Sequence, residues 1–396
     1  MQRGSLKATG RRLATAWKPS FPACGASPVS MREFEREEET HMTYGRRLRK
    51  RIARNAAWWG VGMMCAAAGM YVTRKRLLAR SFENKVVVIT GGSRGLGLAM
   101  AEEFGRRGAR LVLAARNRDE LERAARQLLE NGAVRKKSDV LTVAADLSRE
   151  ENAANLIRRA TEHFGRVDVL VNNAGIITVG PVENQTVNDF HAVMDTNFFT
   201  HLHCTMAVLP QMIERREGSI ANITSISGKV ATPHMLPYTA SKFAAVGLSE
   251  GLAVEMRSKG IRVTTVVPGL MRTGSPPNAL FSGDAAREYR WFSLSDNLPG
   301  MSISAHRAAR RIVDGIESGA AEVAITPPAY FAARFGNLAP RLTRTMMQLM
   351  NLFLPDAQPG NSRQHRGAEV SGLEPLPART IGRAAERRYN QTRRAG

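Results

Sequence analysis

From Lys85 onward, apolar runs of four to six residues alternate with longer amphipathic segments, and this rhythm limits the fold more than any other feature of the chain. Strands are predicted over 85–90, 110–115, 140–145, 167–172, 218–224, 261–267 and 321–325. Helices fit between them at 95–107, 118–131, 150–164, 189–214, 238–259 and 304–317. Strands and helices in alternation build right-handed βαβ units, whose crossover helices cover both faces of a mostly parallel sheet. The expectation is an α/β fold with a doubly wound, seven-stranded sheet. Sheets of this kind take ligands beyond the carboxyl ends of their strands.

The first strand runs into glycines, "VVVITGGSRGLG", Val86 to Gly97. The glycines fall at 91, 92, 95 and 97, a G-x-x-x-G-x-G spacing rather than G-x-G-x-x-G. Gly91 and Gly92 suit a tight turn whose N–H groups approach a pyrophosphate. The next helix starts near Gly95, so its positive end faces the same anion, and Gly97 permits close packing of helix on strand. A tight turn without a ligand would use the same glycines. The second strand closes on Ala114, Ala115 and Arg116 in "LVLAARNRDEL". An acid there would accept hydrogen bonds from an adenosine ribose and repel a 2′-phosphate. Its place is taken by Arg116, with Arg94 in the glycine loop, a pair suited to gripping a 2′-phosphate. The sequence therefore favours NADP(H) over NAD(H). Asp146, followed by Leu147 in "VAADLS", ends the third strand where it would touch an adenine or cap a helix.

Tyr238 and Lys242 in "PYTASKFAAVGL" are four apart and share one helical face. A free tyrosine, at a pKa of about 10, is a poor base near neutrality, and an adjacent ammonium lowers that value. The pair can then exchange a proton with an alcohol or a carbonyl. Tyr and Lys at this spacing also occur by chance, so their company matters. Ser225 ends the strand "GSIANITS" thirteen positions before Tyr238, and "VNNAG" brings Asn172, Asn173, Ala174 and Gly175 to the same sheet edge. Asn197 in "MDTNFF" is polar within an apolar helical stretch.

TGGSRGLG (90–97), NNAG (172–175), Asn197, Ser225, YTASK (238–242) and PGLMRT (268–273) together resemble the classical short-chain dehydrogenase/reductases, over about residues 83–325. The resemblance implies a Rossmann-like fold with helices on both faces of the sheet. It implies Tyr238 as general acid/base, Lys242 as the group that lowers its pKa and binds the nicotinamide ribose, Ser225 as the group polarising the substrate oxygen, and Asn197 as holder of a relay water. It assigns Gly91, Arg94, Gly95, Leu96 and Gly97 to the pyrophosphate, with Ser93 among the cofactor-binding residues. Asn173, Ala174 and Gly175 would flank the cofactor, and Pro268, Gly269 and Thr273 would seat the carboxamide. Dimers or tetramers through the helices at 189–214 and 238–259 are expected by the same analogy.

Residues 274–303 occupy the substrate-loop position and are rich in large apolar groups, among them Leu280, Phe281 and Trp291. His234 and Leu236 precede the catalytic tyrosine and are expected to line the same pocket. Such a lining suits a lipophilic carbonyl or alcohol, although the same residues would also serve to pack a lid. The reading for residues 81–328 is a catalytic domain reducing that carbonyl or oxidising the matching alcohol, with reduction the favoured direction. The competing reading is a non-catalytic NADP-binding scaffold or sensor at a membrane.

The ends carry the charge. Of a formal net +22, residues 1–80 hold 17 Lys/Arg against 5 Asp/Glu and residues 331–396 hold 11 against 4, so the middle is nearly balanced. Anionic lipid explains this better than nucleic acid, for which no module is present. Residues 1–55 read as a disordered basic extension, with Met31 and Met42 as alternative starts. Residues 56–73, "AAWWGVGMMCAAAGMYVT", carry no charge and are flanked by basic clusters, as in a membrane anchor, while their Ala and Gly content also suits a soluble helix. Residues 329–354 show apolar groups at helical spacing with interleaved arginines, suited to a membrane surface, to the domain itself or to a dimer face. From 355 to 396, Pro, Gly and Arg predict a disordered basic tail. The expectation is a membrane-associated protein with its catalytic domain facing the cytoplasm, or else a soluble cytoplasmic one. Cys24, Cys65 and Cys204 are too few and too scattered for a disulfide framework or a metal site, and point to a reducing compartment.

Overall fold

The computed structural model describes residues 82–296, 302–336, 338–370 and 388–390. The chain divides into Met1–Arg74 and Lys75–Gly396. The first unit, and with it the expected extension at 1–55 and anchor at 56–73, lies outside the described residues.

Seven strands form one sheet: β1 (Val86–Thr90), β2 (Arg110–Ala115), β3 (Val140–Ala144), β4 (Val169–Asn172), β5 (Gly218–Ile223), β6 (Ile261–Val267) and β7 (Glu322–Ala324). Their order across the sheet is β7-β6-β5-β4-β1-β2-β3, and every pairing is parallel. The β-branched run of β1 is buried at all five positions, as a strand covered on both faces demands. Successive residues serve opposite layers: Val87, Ile89, Leu111, Leu113 and Val171 join one core, and Val86, Val88, Val112, Ala114 and Leu170 join the other.

The helices that cover the first core are α1 (Gly95–Arg106), α2 (Arg118–Glu130) and α8 (Ala305–Ser318); α3 (Glu150–Phe164), α5 (Thr200–Arg215) and α6 (Leu236–Met256) cover the second. The helix expected over 189–214 is interrupted. α4 (Val187–Met194) passes through a π-helical turn, Asp195–Phe199, before α5. One extra residue in a turn does not alter the apolar spacing enough to be read from sequence. α7 (Ala285–Asp296) packs Tyr289 and Phe292 on Phe281 in a satellite core over the sheet edge.

The segment at 329–354 is two helices, α9 (Pro327–Phe335) and α10 (Pro340–Asn351). Pro340 starts the second, a position where its missing N–H costs nothing. Among the described residues, no helix is long and apolar enough to cross a membrane.

The expected disorder beyond 355 is corrected over 355–370. The buried Asn184 carboxamide donates to the carbonyls of Gln358 (2.5 Å) and Asn361 (2.9 Å) and accepts from Gln358 N–H (3.0 Å). His365–Arg366 then pairs antiparallel with Leu280–Phe281, and α11 (Gly367–Val370) follows. Residues 388–390 are also docked: Tyr389 is 3% exposed within the first core. Composition measures average hydrophobicity, and these few specific bonds escape it.

Candidate active site

β1 and β4 are neighbours whose chains leave in opposite directions across the sheet, the arrangement that opens a crevice at their carboxyl ends. A cleft of about 450 Å³ lies there. It is lined by Gly91, Ser93, Arg94, Gly95, Leu96 and Gly97 after β1, Arg116 after β2, Asp146 and Leu147 after β3, and Asn173, Ala174 and Gly175 after β4. Gly91 turns at φ +63°, and a Cβ on Gly97 would fall 2.1 Å from the Gly91 carbonyl oxygen. Only glycine lets α1 start this close to the turn. No acidic residue stands in the first turn of α1. The cradle fits an anionic pyrophosphate.

Asn173 braces this cradle. Its Nδ2 donates to the carbonyls of Thr90 (2.9 Å) and Gly91 (3.2 Å), while Thr90 Oγ1 accepts from the N–H groups of Asn173 (2.9 Å) and Ala174 (3.0 Å). Below Ala174 its carbonyl meets His201 Nε2 at 3.2 Å, which assigns the ring proton to that nitrogen. Burial, and then the Lys242 charge, hold the His201 pKa down to about 3. On the far side of the loop, Gly95 N–H donates to the Tyr389 carbonyl at 2.9 Å, and Asn390 Nδ2 donates to the Ser93 carbonyl at 3.0 Å.

The two arginines behave differently. Arg116 lines the cleft and is exposed. Arg94 Nη1 donates to Asn278 Oδ1 at 2.7 Å and lies 3.7 Å from Glu120. Glu120, absent from the sequence reading, brings a carboxylate to the cleft from α2 and accepts from Ser93 Oγ at 3.2 Å. Its position in the first turn of α2 looks like ordinary helix charging, so no signal separated it. Asp146 both lines the cleft and builds a turn, accepting from Ser148 N–H (3.2 Å) and Ser148 Oγ (2.9 Å).

A second, apolar cavity of about 770 Å³ adjoins the cleft. Ser225, Tyr238, Lys242, Pro268, Gly269 and Thr273 all line it. Lys242 is buried, its Nζ donates to the Ile223 carbonyl at 2.9 Å, and it stands 5.6 Å from the centre of the Tyr238 ring. Desolvation lowers its pKa to about 8. Ser225 follows β5 and accepts from Ser227 N–H at 3.1 Å. Asn197, in the π turn, accepts from Ile176 N–H (2.7 Å) and donates to the Ile176 carbonyl and Ser241 Oγ (3.0 Å each). Ser241 Oγ donates on to the Tyr238 carbonyl at 2.7 Å. Sequence reasoning passed over Ser241, although it stands inside YTASK. A phenol is thus held beside an ammonium, at the seam between a polar cleft and an apolar chamber.

Of the five residues expected in the substrate pocket, Trp291 lines the cavity. The other four lie elsewhere. Phe281 is fully buried in the satellite core beneath the cavity wall, and Leu280 pairs in the small sheet with Arg366. Leu236 is 44% exposed. His234, at φ +58°, turns its Nδ1 to the buried Glu288 carboxylate at 2.7 Å, whose other oxygen accepts from Trp291 Nε1 at 2.5 Å. Packing a lid and lining a pocket use the same residue types, so the sequence did not divide them. The far wall is Phe331 and Ala332 of α9 and Met346, Met347 and Met350 of α10.

The short chain dehydrogenase family model matches residues 85–279. A dehydrogenase/reductase SDR family protein 7-like from Anopheles gambiae is 33% identical over 294 residues, covering 72% of this chain and 91% of that protein. Dehydrogenase/reductase SDR family member 7B from Mus musculus is 33% identical over 253 residues, covering 64% and 76%. Among solved structures, a short chain dehydrogenase/reductase from Burkholderia phymatum, in complex with NAD, superposes with a TM-score of 0.58 at 27% identity over 66% of this chain and 96% of that one. A short-chain dehydrogenase from Streptomyces avermitilis gives 0.58 at 29% identity over 68% and 97%. The parallel sheet, the glycine cradle and the Tyr238–Lys242 pair agree with these likenesses, and the chain belongs to the short-chain dehydrogenase/reductase family of oxidoreductases.

Proposed function

We propose that the protein reduces the carbonyl of a lipophilic substrate, or oxidises the matching alcohol, using NADP(H) in preference to NAD(H). One observation carries the reading: Tyr238 and Lys242 stand in a chamber that shares Leu96, Asn173, Gly175, Ile176, Ile177 and Ser275 with the dinucleotide cleft. A nicotinamide dinucleotide, when bound, supplies or accepts the hydride. Tyr238 gives its phenolic proton to the carbonyl oxygen, and Ser225 Oγ hydrogen-bonds that oxygen. The Lys242 ammonium stabilises the phenolate left behind. Asn197 fixes the loop carrying Ile176 and, through Ser241, the backbone of Tyr238.

Support for NADP(H) is the end of β2, where Arg116 takes the place of an acid and lines the cleft, exposed and in reach of a 2′-phosphate. Glu120, in the same cleft, is drawn to Ser93 and Arg94. Support for a lipophilic substrate is the methionine and aromatic wall of the chamber.

We place the protein at a membrane surface with its catalytic domain on the cytoplasmic side. Leu338, Leu342, Leu349, Leu352 and Phe353 are exposed around α10, with Arg341 and Arg344 interleaved. A homodimer or homotetramer through α5 and α6 is supported by exposed Met206, Phe243 and Val254.

The test is NADPH oxidation by the full chain against a panel of lipophilic ketones and aldehydes. Turnover is expected with at least one, and Tyr238→Phe is expected to lower it by about 100-fold or more while NADPH still binds. Tight NADPH binding with no turnover on any member would favour the scaffold.

A further inference from the structure

The chain beyond α10 returns to the dinucleotide cleft and places an arginine in it. Arg366 pairs with Leu280 in the His365–Arg366 strand. Its register is locked by the next residue. Gly367 N–H donates to the Ala279 carbonyl at 2.9 Å, and a Cβ on Gly367 would fall 2.0 Å from the Pro276 carbonyl. A slip by one residue would drive a side chain into that backbone and turn Arg366 to the other face. Upstream, Asn184 grips the strap at Gln358 and Asn361.

Arg366 lines the cleft together with Ser275, Asn278 and Ala279. The glycine loop forms the opposing wall, and the Arg94–Asn278 hydrogen bond spans the two. Arg94 has Glu120 within 3.7 Å. Glu369 accepts from the Arg366 backbone N–H at 3.3 Å, while the Arg366 guanidinium makes no ion pair among the described residues. A guanidinium outside any ion pair, lining the same cleft as the glycine loop, is suited to a phosphate.

We propose that Arg366 is a dinucleotide-binding residue, gripping the pyrophosphate from the side opposite the glycine loop. Its backbone lies against Pro276–Leu280, the segment that carries Asn278 and so the Arg94–Asn278 bridge, which favours the pyrophosphate over the 2′-phosphate as its target. The proposal rests on the dinucleotide reading of the cleft. Arg366 is also exposed, so screening by water keeps its contribution moderate.

The experiment is fluorescence titration of the full chain with NADPH and with NADH. Arg366→Ala is expected to raise Kd for both by a similar factor, roughly 5- to 20-fold, and Arg366→Lys to restore part of the loss. Arg116→Ala is expected to weaken NADPH alone. Unchanged Kd values for Arg366→Ala, or a loss confined to NADPH, would overturn the proposal. Wild-type protein binding neither nucleotide would overturn the cleft reading itself, a result separable because it precedes any variant.

Discussion

Asn197 and Ile176 hold each other by two hydrogen bonds, one accepted by Oδ1 from the Ile176 N–H at 2.7 Å and one donated by Nδ2 to the Ile176 carbonyl at 3.0 Å. The carboxamide thereby stands in for a strand partner to a loop that has none at that point. Asn197→Leu keeps the volume and removes both bonds together with the one to Ser241, leaving a partly buried peptide unpaired. A loss of about 2–3 kcal/mol in urea denaturation is expected, with a fall in turnover beyond any change in dinucleotide affinity. Unaltered stability would mean that the loop is held by other contacts.

Lys242 is held at about 8 by burial, against an ordinary value of 10.5. Between these two values the unfolded chain binds more protons than the folded one, so this group makes stability rise with pH from about 8 to 10.5. Below 8 the folded protein carries the full cost of a buried ammonium. Lys242→Met is expected to abolish activity, yet to stabilise the nucleotide-free protein near pH 7 by about 2–3 kcal/mol, a gap that closes toward pH 10.5. Denaturant midpoints of both proteins across this range measure it, and a gap that does not vary with pH would contradict it.

His201 titrates in the acid direction. Burial and the Lys242 charge lower it to about 3, partly opposed by the bond to Ala174. From about 6.5 down to 3 the unfolded chain takes up a proton that the folded chain refuses, and stability falls with pH. By pH 4.5 the wild type is expected to lose about 2–3 kcal/mol through this group. His201→Gln keeps a donor for the Ala174 carbonyl and does not titrate, so its stability is expected to decline less over the same interval in acid unfolding.

Gly97→Ala tests the cradle. The added methyl would stand 2.1 Å from the Gly91 carbonyl and 2.7 Å from Asn173 Nδ2, and the first of these is backbone that cannot swing aside. The variant is expected to lose about 1–3 kcal/mol of stability and to bind NADPH at least about tenfold more weakly. Wild-type affinity in a folded Gly97→Ala protein would show that the turn does not shape the nucleotide site.

The sheet was legible because β-branched runs such as Val86–Thr90 meet glycines at a fixed offset, and buried parallel strands tolerate little else. That Ser225, Tyr238 and Lys242 come to one chamber was legible in their spacing and motif company, and Asn197 stood out as a polar group in an apolar stretch. The chamber wall was not. Helical spacing in α10 shows that Met346 and Met350 share a face and says nothing of what that face meets. Phe281 and Trp291 look alike in sequence, yet one fills a core and the other lines a cavity. Glu120 and Arg366 were missed because a charged residue on a surface element has no pattern that distinguishes solvent from a cleft.

Asn390 reaches back to Ser93 across 297 positions, and Tyr389 lies buried beside Gly95. A ribosome therefore finishes the glycine turn long before it delivers the residues that brace it. The nucleotide loop should stiffen late in biogenesis, after the sheet has closed. A nascent chain released before Tyr389 would carry its binding cradle complete in sequence and slack in shape.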